Sequence, residues 1–546
     1  MRNDVPARWR WALRYGAMAL VAMVLAACGS SGFYAPLPST PAVSAEPGSS
    51  SGAPAQETTA WELALAGFRR DGTVPLETAL AAFAVAFGPL PEVATPAGEP
   101  GFEGSGSGPL RWVLGHWPEL SAEQQRAVLQ YIDPNGPTAG TTGSEPGPRV
   151  ASAGGPGPRE THALAADLAT FKATLDQVKP QMETKLKRKL KVPVELVFRH
   201  LPVKDGEVVF AVTVPIDSSG AAATASSDRM IRCQIQVNTR GQQFEGDELF
   251  SVVAHELFHC FQYDLPTKLA ESFAVPAWLA EGAAAWVGEE FTVAGSTVGQ
   301  QYWTIWLKTP NGSLFARAYD AIGFYAHLAD STIDPWPLLD RMHIKAAGSG
   351  GSSDAYLLAA AAKGGDKMVD TWGPSYVRDT GLGPDWTMNG KAYPDFVRTP
   401  LPADTLVNDE HVVVGLGPVS AHAFRLDVSA DVMVLQGRLG RGTIRFADGS
   451  EHTVQKSFSV PFCLKPGGCA CPTGEPGAAH SYVQAPAGAV LFGFSGHTDG
   501  VEIDVLSFSA SSACAQAPED FAAPSPCLCP PGPLGWVDRN GDRRRG

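Results

Sequence analysis

Residues 246–264 read GDELFSVVAHELFHCFQYD, and this stretch restricts the fold more than any other in the chain. Val252, Val253, Leu257, Phe258 and Phe261 are apolar, which predicts a buried helix, yet His255, Glu256 and His259 sit in its middle. Polar groups are costly to bury without partners, so the fold must bring something to all three side chains. At 3.6 residues per turn, His255 and His259 lie one turn apart on one face, and both imidazoles can reach a single metal ion. Glu256 projects about 100° away, where it would reach a water beside such an ion rather than the ion itself. Asp247 is expected as the N-cap of this helix.

A hydrolytic metal centre wants three protein ligands and one open position. Downstream, VPAWLAEGAAAWVGEE (275–290) predicts a second helix, with Pro276 near its start and Glu281 inside it. Glu281 is the expected third ligand because Trp278, Leu279 and Gly282 surround it; Glu289 and Glu290 are the alternatives.

The pair HELFH and WLAEGAAAW resembles the gluzincin superfamily of metallopeptidases, in particular its aminopeptidase-N-like and thermolysin-like members, where a W-x-x-E-G-x-A helix supplies the third ligand. The resemblance spans residues 247–290. It implies a zincin-like fold binding Zn2+, with His255, His259 and Glu281 as ligands and Glu256 as general base. Two features of the family pattern are missing. No G-x-M-E-N segment, which aminopeptidase-N-like members use to bind a free amine, precedes the motif. The catalytic tyrosine of a Y-x-x-G helix start has only an approximate match in AYDAIGFYAHL (318–328), where Gly323 follows Tyr319 by four positions. Tyr319 is the candidate for stabilising an oxyanion, with Tyr325 and His327 as rivals. The strand CQIQVN (233–238) is expected to hold a peptide substrate by edge pairing, as zincin peptidases do.

The N-terminus carries a different signal. Arg2, Arg8, Arg10 and Arg14 precede the apolar run YGAMALVAMVLAA, which ends at Cys28. The run is short for a membrane span and fits a secretory signal peptide, and LAAC (25–28) resembles a bacterial lipobox, which implies cleavage before Cys28 and lipid on its sulfur. The expected location is thus the bacterial cell envelope, anchored to a membrane through Cys28. A Ser/Pro/Gly/Ala-rich stretch follows and reads as a disordered tether over 28–60. In an oxidising compartment the eight remaining cysteines suit disulfides. Six cluster at 463–529, where the pairing is open; Cys233 and Cys260 fall on a strand and on the motif helix, where they form either a staple or two buried thiols. Lys+Arg 42 against Asp+Glu 56 gives a net charge of −14, which argues against a nucleic-acid partner. The basic run KLKRKLK (185–191) is expected as a solvated helix face.

These signals predict a multidomain chain with an α+β zincin-like catalytic domain, preceded by a small helical domain and followed by a disulfide-rich β-sandwich. The expected boundaries are a signal peptide at 1–27, the tether, helices at 61–133, a linker at 134–160, the metallopeptidase domain at 161–400, the sandwich at 401–530 and a tail at 531–546. Within the helical segment, Ser121 and Gln124 are placed as a capping box, and no chemistry is legible there. The functional expectation is a lipid-anchored zinc metallopeptidase acting on protein or peptide. Two other readings stand beside it: a surface binding or adhesion lipoprotein with a non-catalytic scaffold, and a zinc hydrolase acting on another bond.

Overall fold

The computed structural model describes residues 59–132, 158–376, 403–516, 536–538 and 543–544, with short omissions inside these ranges. Cys28, Cys527 and Cys529 lie outside the described residues, as do the signal peptide, nearly all of the tether and most of the linker. Among the described residues, no helix is long and apolar enough to cross a membrane.

The chain is α+β. Among the described residues four helices come first: α1 (Ala60–Leu65), α2 (Leu76–Phe87), α3 (Ser107–Gly115) and α4 (Ala122–Ile132), with a two-residue strand β1 (Gly104–Ser105) just before α3. Ser121 and Gln124 cap α4 reciprocally, Gln124 N–H donating to Ser121 Oγ at 3.1 Å and Ser121 N–H to Gln124 Oε1 at 3.0 Å. The long helix α5 (Pro158–Leu186) leads into β2 (Val194–Arg199), β3 (Val203–Lys204), β4 (Glu207–Ile216) and β5 (Arg232–Asn238). These strands form a sheet of order β1-β4-β5-β2, with β3 on β4. β5 pairs antiparallel with β4 and parallel with β2, so both of its edges are taken. This corrects the expectation that CQIQVN offers a free edge.

Eight helices follow: α6 (Gly246–Tyr263), α7 (Leu269–Phe273), α8 (Ala277–Glu289), α9 (Thr297–Lys308), α10 (Ile322–Asp330), α11 (Trp336–Lys345), α12 (Gly351–Ala360) and α13 (Gly365–Ser375). Helix α6 begins two residues earlier than expected, with Glu245 at the N-cap. Asp247 lies inside the first turn, where a carboxylate favours the helix dipole, and it accepts the backbone N–H groups of Val293 (2.8 Å) and Ala294 (2.6 Å). The basic run also differs from its expectation. Helix α5 stops at Leu186 and Lys187 turns left-handed with φ 56, so the run leaves the helix, while Lys187, Lys189 and Lys191 are exposed as expected. Arg188 then pairs with Asp340 on α11 and lies 3.6 Å from Asp264 at the end of α6.

One hydrophobic core unites these elements. It runs from Ala60 through Phe83, Trp112, Val212, Leu257 and Trp278 to Trp372, so the N-terminal helices share their core with the sheet and the motif helix. Cys233 on β5 and Cys260 on α6 are joined in a disulfide that ties the sheet to the motif helix.

The C-terminal region is almost all strand: β6 (Ala403–Leu406), β7 (His411–Leu416), β8 (Ala421–Val428), β9 (Val432–Arg445), β10 (Glu451–Cys463), β11 (Val483–Gln484), β12 (Gly488–Ser495), β13 (Val501–Phe508), β14 (Trp536–Asp538) and β15 (Arg543–Arg544), with α14 (Ala510–Cys514) after β13. The long strand β9 organises it. Along one edge β9 pairs with β10; along the other its first half pairs with β13 and its second half with β12. Between Gly437 and Gly440 β9 advances one residue more than β10, a bulge that bends the ladder and switches the inward parity of β9. Met433 and Leu435 before the bulge and Ile444 after it therefore enter the same core, with Phe424, Phe492 and Ile503. Cys463–Cys469 and Cys471–Cys514 are the two disulfides described here. The last strands, expected as a tail, extend the sheet through the pairing of β14 with β7. The region docks on the helical body where the Gly373 N–H donates to Ser495 Oγ at 2.8 Å.

Candidate metal centre

Helices α6 and α8 bring His255, His259 and Glu281 together. His255 is 7% exposed, and His259 and Glu281 are fully buried. The two imidazole Nε2 atoms lie 3.1 Å apart, and Glu281 Oε2 lies 3.3 Å from His259 Nε2 and 3.7 Å from His255 Nε2. Among the described residues, this is the one group of three or more side chains whose donor atoms could hold a metal ion. Neither oxygen of Glu281 has a hydrogen-bond donor within the protein. A buried carboxylate left in this way is costly unless a cation meets it, so the residues present fit a bound metal ion. Burial alone would push the Glu281 carboxyl up, but the facing imidazoles of His259 and His255 outweigh it and hold the group down at about 2. His259 moves the other way: burial lowers it, Glu281 raises it, and the net shift is upward.

The surroundings of the triad orient it. His259 Nδ1 donates to Gln262 Oε1 at 2.9 Å, which directs Nε2 toward the shared point. Gln262 in turn donates to Ala280 O at 2.9 Å, the residue before Glu281. Arg111, fully buried on α3, donates to Gln262 Oε1 at 3.3 Å and to the backbone oxygen of Ser272.

Glu256 faces away from this group, as its position in the helix dictates. Its Oε2 accepts from Ser107 Oγ at 2.7 Å and from Thr213 Oγ1 at 2.6 Å. Both bonds fall on one oxygen, and Glu256 also lines a small cavity with His255, Ser105, Glu289 and Tyr302. That cavity holds about 20 Å³ of water-accessible space, room for a water or two.

Tyr319 lies beside the centre. Its ring stacks over His255 with centroids 6.1 Å apart, and its hydroxyl donates to Ser105 O at 2.7 Å. Burial pushes the phenol well up, so it stays protonated as a donor. The rivals lie elsewhere: Tyr325 donates to Trp278 O at 3.4 Å, and His327 contacts Met368 O at 3.0 Å. Glu289 is committed to Ser251 (2.7 Å) and Ser296, and Glu290 lies 3.6 Å from Lys185.

Four residues of the site were absent from the sequence expectation. Two left a signal: Gln262 sits three residues after His259, on the same helix face, and Arg111 is the one charge within PLRWVLG. Ser107 and Thr213 left none, because only the tertiary fold brings them to Glu256.

Comparison of the chain with protein-family models, curated proteins and solved structures returns no match.

Proposed function

We propose that this chain is a zinc-dependent metallopeptidase of gluzincin type, anchored in the bacterial envelope by lipid on Cys28. The observation that carries the reading is the convergence of two imidazoles and an otherwise unpartnered carboxylate, with a second carboxylate held one position along the helix but outside the ligand set. A scaffold without chemistry has no use for Glu256 in that place. The donor set of two nitrogens and one carboxylate oxygen suits zinc. The antiparallel strand β4 beside α6 and the second ligand helix α8 are in keeping with a zincin-like arrangement. The three disulfides fit an exported protein.

His255, His259 and Glu281 would hold the ion, which when bound supplies a Lewis acid that polarises a carbonyl and acidifies water. The protein does the rest. Ser107 and Thr213 pin one oxygen of Glu256, and the other would take a proton from water and return it to the leaving amine. Tyr319 is a protonated donor whose hydroxyl can turn to a developing oxyanion. Gln262 and Arg111 keep the His259 ring in the orientation that presents Nε2.

The test is zinc content and peptide-library cleavage for the chain beginning after Cys28, beside Glu256→Gln. One zinc per chain in both proteins, with cleavage reduced about a thousandfold in the variant, is the expected result. Zinc in both with peptide cleavage by neither, while the wild type turns over a hydrolysable bond of another class, would redirect the reading to that bond. Absence of zinc would favour a binding protein.

A further inference from the structure

The free edge beside Glu256 belongs to β4, and the chain itself covers it. Gly104 and Ser105 pair parallel with Val209 and Ala211, and the Gly106 N–H donates to Ala211 O at 2.8 Å. Ser107 Oγ then accepts the Thr213 N–H at 2.7 Å while donating to Glu256. Ser105 O receives the Tyr319 hydroxyl. Gly104 and Ser105, with Gly106 and Ser107 at the start of α3, thus satisfy the strand edge, the expected oxyanion donor and the expected base together, the groups that a peptide laid along β4 would meet. The approach is close. A Cβ on Gly108 would come within 2.6 Å of the Tyr319 hydroxyl oxygen and 3.1 Å of Glu281 Cδ. The cavity that remains beside this strap has space for a water or two.

We infer that residues 104–107 are an internal occupant of the substrate groove, so that the folded chain is latent and a substrate peptide must displace them from β4. The inference rests on the metallopeptidase reading and adds its regulation. The occupant is this chain's own N-terminal segment, which α3 anchors in the core through Leu110 and Trp112. Displacement would run from the two strand residues into the start of α3, where Gly106 and Ser107 lie.

The experiment uses zinc-loaded full chain and two probes: a peptide hydroxamate, which needs both the metal and the β4 edge, and acetohydroxamate, which needs the metal alone. Gly106→Ala places a Cβ within 2.8 Å of Val209 Cγ1 on β4 and so loosens the strap without touching a ligand, Glu256 or Tyr319, and the peptide hydroxamate is expected to bind it about tenfold tighter than wild type, with zinc content and acetohydroxamate binding unchanged. Equal or weaker binding of the peptide probe, with acetohydroxamate still bound, would overturn the latency and leave the metallopeptidase reading standing. In wild type saturated with the peptide hydroxamate, the Gly106 amide should exchange hydrogen faster than in the free protein; unchanged or slower exchange would overturn the inference independently of any variant. Failure of acetohydroxamate to bind zinc-loaded wild type would overturn the metallopeptidase reading and this inference with it.

Discussion

The helical body and the C-terminal sheet bury very different interiors. In the body, Arg111, Glu256, His259, Gln262, Glu281 and Glu289 are all at most 1% exposed, and they lie among tryptophans and alanines. In the C-terminal sheet the core is Phe424, Leu426, Met433, Leu435, Ile444, Phe492 and Phe494, and among the described residues no carboxylate or guanidinium is buried there. Buried polar atoms cost stability unless paired, and an apolar core does not need them. A region that carries so many is organised around them, whereas the sheet is organised around apolar packing and two disulfides. The contrast is in keeping with the chemistry proposed for the first region and with a supporting part for the second.

That contrast can be broken by substitution. The largest effect is expected at Glu281→Ala, which removes the carboxylate that completes the triad: zinc measured by metal analysis should fall from one per chain to near none. Retention of stoichiometric zinc would dissolve the assignment of the centre. On the other side, Phe492→Ala empties a fully buried ring site stacked on Phe424 at 4.6 Å and should cost about 3–5 kcal/mol in denaturant unfolding, with zinc affinity unchanged. A change in zinc affinity there would show that the two interiors are coupled. Gln262→Ala sharpens the picture within the body, because it frees the His259 ring without touching a ligand. Zinc affinity by competition with a chelator should drop about 10–100-fold.

The smallest effect concerns pH. Burial pushes the His422 imidazole in the C-terminal region down to about 3. A histidine with a depressed folded pKa stays neutral in the fold while the unfolded chain takes up a proton below about 6.5, so its contribution is intact above that pH and is lost as pH falls toward 3. The slope is at most about 1.4 kcal/mol per pH unit. His422→Phe should flatten the fall in melting temperature between pH 6 and 4, and an unaltered profile would remove His422 as the cause.

Much of the centre was legible because it is local. His255, Glu256 and His259 share one helix, where a fixed 3.6-residue period decides which side chains share a face, and Glu281 stood out within a short apolar helix. The runs VPVELVFRH (192–200), EVVFAVTV (207–214) and IRCQIQV (231–237) are rich in apolar and β-branched residues, which marks them as strands, and they form β2, β4 and β5 with shifts of a few residues at their ends. The order of those strands was not legible, since alternation says which face is buried and nothing about which neighbour takes each edge; β5 therefore looked available and is enclosed. The Gly437–Gly440 bulge escaped for a related reason, because an extra residue is defined only against a partner strand.

The amino-acid sequence by itself determined the ligand spacing, the position of Glu256 outside the ligand set and the cysteines available for stapling, all consequences of backbone periodicity and residue chemistry. Tertiary structure alone decided that Ser107, from a segment with no readable chemistry, reaches across 149 positions to Glu256, and that residues 104–107 close the edge of β4. Contacts between such distant segments depend on how a shared core packs helices against a sheet, and that packing is a property of the whole chain rather than of any stretch within it.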